Sequence, residues 1–193
     1  MPSRISQARM RGLTLVELLV VIAIAAVLAV IAVPSLRSTL QTNQLDTVSN
    51  QLVAALATAR SEAVRAPDLT VQVANPSAAT PKQWSNGWAT TAQPLAGPQL
   101  NLQAPLPVPG QLSVNSNWPG PIGFDAMGRL VLANPPPLIF VICLDPAQPT
   151  VNQSRAVIVS ASGRASIAHI GKAGANQGIP VDDTNAPILT CSP

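Results

Sequence analysis

His169 is the only histidine among 193 residues, and Cys143 and Cys191 are the only cysteines. Acid–base or nucleophilic catalysis needs a base within reach of its reacting group and, as a rule, a third residue to orient that base. No such partners accompany His169 in the sequence, and it reads as a surface or packed strand residue. A structural zinc site takes four nitrogen or sulfur ligands at short spacings, which one histidine and two distant cysteines do not supply. Asp182-Asp183 lacks the alternating oxygen ligands and distal glutamate of an EF-hand calcium loop. Trp84 and Trp88 flank Asn86-Gly87, a turn dipeptide, so the pair suits a hairpin or strand entrance more than a ligand platform. With no nucleophile, metal set or paired acids, neither catalysis nor a cofactor is expected.

One residue stands apart. Glu17 is the only charged side chain in residues 13–33, LTLVELLVVIAIAAVLAVIAV, where Thr14 is the only other polar one. A carboxylate inside such a run costs several kcal/mol in a membrane unless it is paired, which makes it a functional candidate. Thr14-x-x-Glu17 is also the pattern of a helix-start capping box. Both readings stand on the residues alone.

The element that carries Glu17 is long enough to matter. At 1.5 Å per residue, residues 13–33 span roughly 30 Å as a helix, the thickness of a hydrocarbon core. Arg4, Arg9 and Arg11 precede the run with no acid among them, which predicts a cytoplasmic N-terminus and an exported remainder. A cleaved secretory signal is the alternative, with sites such as Ala23-Ile24-Ala25. The run is long for that role, and an acid near its start is unusual. The same three arginines account for the net charge of +3, since the rest of the chain holds eight basic and eight acidic residues. A general electrostatic case for nucleic-acid binding therefore fails.

Beyond Pro34 the helical pattern continues to about Arg65. Leu45, Val48, Leu52, Ala55, Leu56, Ala59 and Ala63 recur at helical spacing, while Asp46, Asn50, Arg60 and Glu62 fall elsewhere. Pro67 stops the helix. A helix over 13–65 would be about 80 Å long. Its apolar stripe is expected to carry a sheet domain built from short runs between Pro, Gly and Asn. The candidate strands are Leu69–Ala74, Gly87–Thr91, Gln111–Val114, Ile122–Phe124, Arg129–Ala133, Leu138–Leu144, Ala156–Ser160 and Ala165–Ile170. Seven prolines between Pro94 and Pro121 mark that stretch as loop or edge strand. Gly163 is expected in a turn that needs positive φ. In an exported domain Cys143 and Cys191 are expected to form a disulfide, with two buried free thiols as the alternative. Closing a loop of about 49 residues is worth roughly 4 kcal/mol in the chain-entropy model and would tie down a tail containing Asn176, Gln177 and Gly178.

Arg11-Gly12-Leu13-Thr14-Leu15-Val16-Glu17-Leu18 resembles the class III signal of type IV pilins and type II secretion pseudopilins. The resemblance implies that prepilin peptidase cuts between Gly12 and Leu13 and that Leu13, in place of the usual phenylalanine, becomes the methylated N-terminus. Glu17 becomes the fifth mature residue, whose carboxylate neutralises the new amine of a neighbouring subunit; an unpaired charge buried among packed helices would be prohibitive. Pro34 sits where these proteins commonly have a helix-kinking proline. Four further pieces resemble the GspH/FimT branch in its own order. They are Ala59–Arg65 (ARSEAVR), Trp84–Trp88 (WSNGW), Ile122–Arg129 (IGFDAMGR) and Val157–Arg164 (VIVSASGR).

The chain is thus identified as a member of the GspH/FimT family of the type IV pilin-like superfamily, with an expected α+β fold. A leader (1–12) precedes a membrane and filament-core helix (13–33), its amphipathic continuation (34–66) and a periplasmic β-rich domain (68–193). The implied function is that of a minor pseudopilin at the tip of a type II secretion pseudopilus in the inner membrane. Its implied partners are other pseudopilins or minor pilins through the helix, prepilin peptidase and the inner-membrane assembly platform. The alternative is a minor pilin of a type IV pilus, including a DNA-receptor subgroup with a late Gly-Arg-x-Arg turn. Here Gly163-Arg164-Ala165-Ser166 lacks the second arginine. That leaves Arg164, with Lys172, as candidate DNA contacts, and no useful duplex binding is expected of them.

Overall fold

The computed structural model describes residues 14–76, 80, 82–94, 97–132, 137–144, 153–172, 177–182, 184, 186–188 and 191. They fall into two compact units, one ending at Leu40 and one beginning at Gln41. Helix α1 (Leu15–Arg65) contributes to both.

In the first unit, Thr14 caps the helix. Its hydroxyl accepts the Glu17 backbone N–H at 3.2 Å, and its carbonyl accepts that of Leu18 at 3.2 Å. The helix runs on through Pro34, whose ring cannot supply the N–H that would bond the carbonyl four residues back. Just beyond, the hydroxyls of Ser38 and Thr39 both donate to the Ser35 carbonyl, at 2.9 and 3.1 Å.

In the second unit the helix buries one stripe. Leu45, Val48, Ser49, Leu52, Ala55, Leu56, Ala59 and Ala63 are all buried, and Ser49 satisfies its hydroxyl on the Leu45 carbonyl at 2.7 Å. Fully burying a leucine such as Leu52 or Leu56 contributes about 1.5–3 kcal/mol. The helix stops after Arg65, two residues before Pro67, as the proline predicts.

The chain then forms antiparallel strands. These are β1 (Leu69–Ala74), β2 (Trp88–Pro94), β3 (Leu100–Leu106), β4 (Ser113–Ser116), β5 (Ile122–Phe124), β6 (Leu138–Cys143), β7 (Ser154–Val159), β8 (Ala165–Ile167), β9 (His169–Ile170) and β10 (Pro180–Val181). One sheet has the order β3-β2-β1-β5, a second β4-β6-β7-β8, and β9 pairs with β10. The main core joins the helix stripe to inward residues of both larger sheets, among them Val71, Val73, Trp88, Ile122, Phe124, Leu138, Phe140 and Val157.

The second sheet is covered on both faces. Leu138, Phe140 and Ile142 of β6 enter the main core, while Val141 and Cys143 join a smaller cluster with Ala156, Ile158, Ala168, Ile188 and Cys191. Burial on both faces explains why β6 and β7 read as continuous apolar runs instead of alternating ones.

One expected strand needs correction. Of the expected strand over 129–133, the described residues 129–132 do not form one; an isolated bridge joins Leu130 to Phe124. The Asp125 carboxylate draws the backbone N–H groups of Met127 and Arg129 into a tight turn, and the following segment meets only the three residues of β5. Within the proline-rich stretch, β3 is a strand of seven residues at the sheet edge, the edge-strand reading of its prolines, and its register against β2 shifts between Trp88 and Thr91.

Candidate functional site

Along the first unit the helix presents apolar side chains outward on every side. Leu15, Val16, Leu18, Leu19, Val20, Ile22, Ile24, Leu28, Ile31 and Leu36 are all exposed. The segment is long and apolar enough to cross a membrane. A helix apolar all round requires either lipid or other helices around it. Glu17 lies in the first turn of this surface and is itself exposed, and among the described residues no side chain pairs with its carboxylate. The backbone half of the capping box is therefore formed, and the carboxylate remains available to an outside partner. Gly12 and Leu13 lie outside the described residues.

Three of the sequence pieces meet at one place in the second unit. Arg60, on the helix, donates its Nε–H to the Gly128 carbonyl at 2.8 Å across 68 positions of sequence. Gly163, at φ +78°, lies so close to that turn that a Cβ on it would stand 2.1 Å from the Gly128 carbonyl oxygen. The backbone N–H of Leu130 reaches the Ala161 carbonyl at 3.3 Å. ARSEAVR, the DAMGR turn and the SASGR turn thus form a single joint that fixes the helix end against two turns. Nothing in their spacing announced this, because the contacts join residues far apart in the chain.

The WSNGW piece is a packing device. Trp84 and Trp88 are buried, and Trp84 meets Phe140 edge-on with ring centroids 5.0 Å apart and planes at 85°. Gly87 turns at φ +90° into β2, where a Cβ would collide with the Leu106 carbonyl. A second contact that spacing did not reveal is the ion pair of Arg155 on β7 with Asp46 on the helix, 2.6 Å between Nε and Oδ1.

Arg164 follows the joint and is exposed; Lys172 is exposed beyond β9. Lys172 lines neither of the two depressions described beside Arg164. Arg164 borders one of about 540 Å³ with Ala57, Arg60, Val64, Arg65 and Ala165. It also borders another of about 540 Å³ with Ser160, Ser162, Ser166 and His169. His169 begins β9 and is exposed. Asp182 closes a turn: its Oδ1 accepts the Thr184 hydroxyl and the N–H groups of Thr184 and Ala186. These bonds, led by the Thr184 hydroxyl, hold its carboxyl below the usual carboxylate range. Asp125 is likewise held low, first by the Arg129 backbone N–H. Asp183 lies outside the described residues. No group of three or more metal-ligating side chains occurs among the described residues.

Cys143, on the outer face of β6, is bonded to Cys191 with S–S 2.07 Å. The Cys191 carbonyl also accepts the Asn115 side-chain amide at 2.6 Å. Disulfide and hydrogen bond together fasten the tail over the smaller apolar cluster.

Residues 48–163, more than half of the chain, match the family described as type II transport protein GspH, and residues 7–33 match the prokaryotic N-terminal methylation motif. No curated protein matches the chain significantly. Among solved structures it is similar to the type IV minor pilin FimU of Pseudomonas aeruginosa in two crystal forms. The first is 24% identical, covers 65% of this chain and 93% of that one, and has a TM-score of 0.46. The second is 23% identical, covers 66% and 90%, and has a TM-score of 0.49. With a methylation motif in its apolar N-terminal segment and a family match over residues 48–163, the chain belongs to the GspH family of pilin-like structural proteins.

Proposed function

We propose that this protein is a minor pseudopilin of a type II secretion system. It is cleaved by prepilin peptidase between Gly12 and Leu13, methylated on Leu13, and assembled at the tip of a short periplasmic filament that supports secretion across the outer membrane. Residues 1–12 are then the leader, 13–33 the membrane and filament-core helix, 34–66 its amphipathic continuation and 68–193 the periplasmic domain. The observation that carries this reading is a lone carboxylate at Glu17, without a side-chain partner among the described residues, on a helix apolar all round, in a chain matching the GspH family. Once cleavage exposes the Leu13 amine, that charge needs a counter-charge as helices pack out of lipid, and a neighbour's Glu17-type carboxylate provides it. Pro34, where one helical hydrogen bond is missing, is the point at which the helix bends to fit its neighbours. Other pseudopilins and the inner-membrane assembly platform are the partners.

Intact mass of the membrane-fraction protein tests the first step. The expected species starts at Leu13 and carries one methyl group, and a start after any alanine between positions 23 and 32 would mark an ordinary signal peptide. Deleting the gene in its own host tests the second. Secretion should stop while surface pili persist; loss of pili with secretion intact would assign the protein to a type IV pilus.

A further inference from the structure

We infer that the depression between the last turns of α1 and the Gly163-Arg164 turn is a docking cleft for an acidic, leucine-bearing peptide segment of another protein. Residues 35–193 carry eight basic and seven acidic side chains, so the domain as a whole exerts little field. Three of those eight cations, Arg60, Arg65 and Arg164, nevertheless line one depression of about 540 Å³, and no acid lines it. Arg65 is paired with Glu62 at 3.0 Å, but among the described residues neither Arg60 nor Arg164 has a carboxylate within ion-pair distance. Such a concentration in a neutral domain marks a surface complementary to anions.

The walls decide which anion. Between the guanidinium groups stand Ala57, Val64 and Ala165, and Val64 is 52% exposed. Met127, on the turn held by Arg60, is 72% exposed. Apolar walls with guanidinium groups at their rim suit a carboxylate next to an aliphatic side chain, since arginine bonds carboxylates in a forked, bidentate way. A nucleic-acid strand would leave the apolar walls unused and would find no aromatic side chain lining the cleft on which to stack a base. Rigidity supports the reading as well. The Arg60–Gly128 and Gly163 joint holds the cleft's two sides in fixed relation, so little ordering opposes binding.

The inference holds whichever filament the protein joins, and its test reads peptide binding and not secretion. A fluorescein-labelled Glu-Leu-Glu-Leu-Glu peptide is titrated with the full chain in detergent micelles at about 150 mM salt, near physiological ionic strength. Saturable binding is expected, with the Gln-Leu-Gln-Leu-Gln analogue weaker. Arg164→Ala should weaken binding about tenfold, the loss typical of one charge-assisted contact. Glu62→Gln, which frees Arg65, should tighten it by about twofold, as for a screened surface pair. Arg60 is left intact because the joint depends on it. Equal affinity for the two peptides, or indifference to both substitutions, overturns the inference. So does Arg164-dependent binding of a DNA duplex that is tighter than that of the acidic peptide, because the cleft would then be a phosphate site.

Discussion

Glu17 and Gly163 show two ways in which one residue governs this protein. At Glu17 the matter is a charge with no side-chain partner among the described residues. Glu17→Ala makes the run more apolar, so membrane insertion should be unchanged or improved. Incorporation into filaments should fail, because the neighbouring amine would be packed among helices with no counter-charge. Normal incorporation, read by crosslinking or by filament composition, would remove the proposed role. At Gly163 the matter is space and backbone. Alanine there takes on both a positive φ and a Cβ 2.1 Å from the Gly128 carbonyl oxygen. Gly163→Ala should therefore lower stability by about 1–3 kcal/mol or more, read from the denaturant midpoint. Asp125 adds a pH signature at the same joint. Its carboxyl is held below its ordinary value by the Arg129 and Met127 N–H groups and by the Arg129 side chain. A carboxyl depressed in the folded state contributes stability above its unfolded value of about 4, and that contribution disappears as pH falls through the lower, folded value. Asp125→Asn should accordingly show a shallower loss of stability on acidification than the parent protein.

At the scale of elements, the long helix and most strands were legible because their signals are local. β1 and β5 occupy the bounds that alternation and turn residues predict, and the helix ends where Pro67 requires. β3 was half-legible: its prolines mark either a loop or an edge, and only pairing with β2 decides between them. β10 has two residues and no periodicity to read. The segment expected as a strand over 129–133 has the composition of one, but its described residues 129–132 meet only the three residues of β5. The Arg60–Gly128–Gly163 joint and the Asp46–Arg155 pair were illegible, since they depend on how the helix meets the sheets. Glu17, in contrast, was visible at once, because a single charge in an apolar run needs no fold to be conspicuous. The tail illustrates how elements depend on a crosslink. Ile188 and Cys191 cover the outer face of β6 and β7 as part of a small apolar cluster. Cys191→Ser should cost about 4 kcal/mol in the chain-entropy picture and expose the tail to proteases while the main core persists. Equal protease resistance with and without reductant would mean that the cluster alone holds the tail.

Over the whole molecule, charge is divided unevenly, and this limits what the protein can bind. The basic excess resides in Arg4, Arg9 and Arg11, which precede the proposed cleavage point, so cleavage there would remove it. What remains is nearly neutral, with three arginines gathered at one depression. Non-specific affinity for duplex DNA comes mainly from counterions released as phosphates are neutralised, and it falls steeply with salt in proportion to their number. Arg164 offers one such contact. Lys172 lines neither depression that Arg164 borders, and Arg65 is engaged with Glu62. One or two contacts are too few to survive at about 150 mM salt, where binders with many contacts already weaken markedly. The mature protein is therefore expected to show no useful duplex binding at that ionic strength in an anisotropy titration. Micromolar binding abolished by Arg164→Ala would place phosphate recognition at the Gly163-Arg164 turn and turn the functional reading toward a DNA-receptor pilin. Micromolar binding indifferent to that substitution would locate the contact elsewhere, and the likeness of this turn to a Gly-Arg-x-Arg motif would then carry no functional weight.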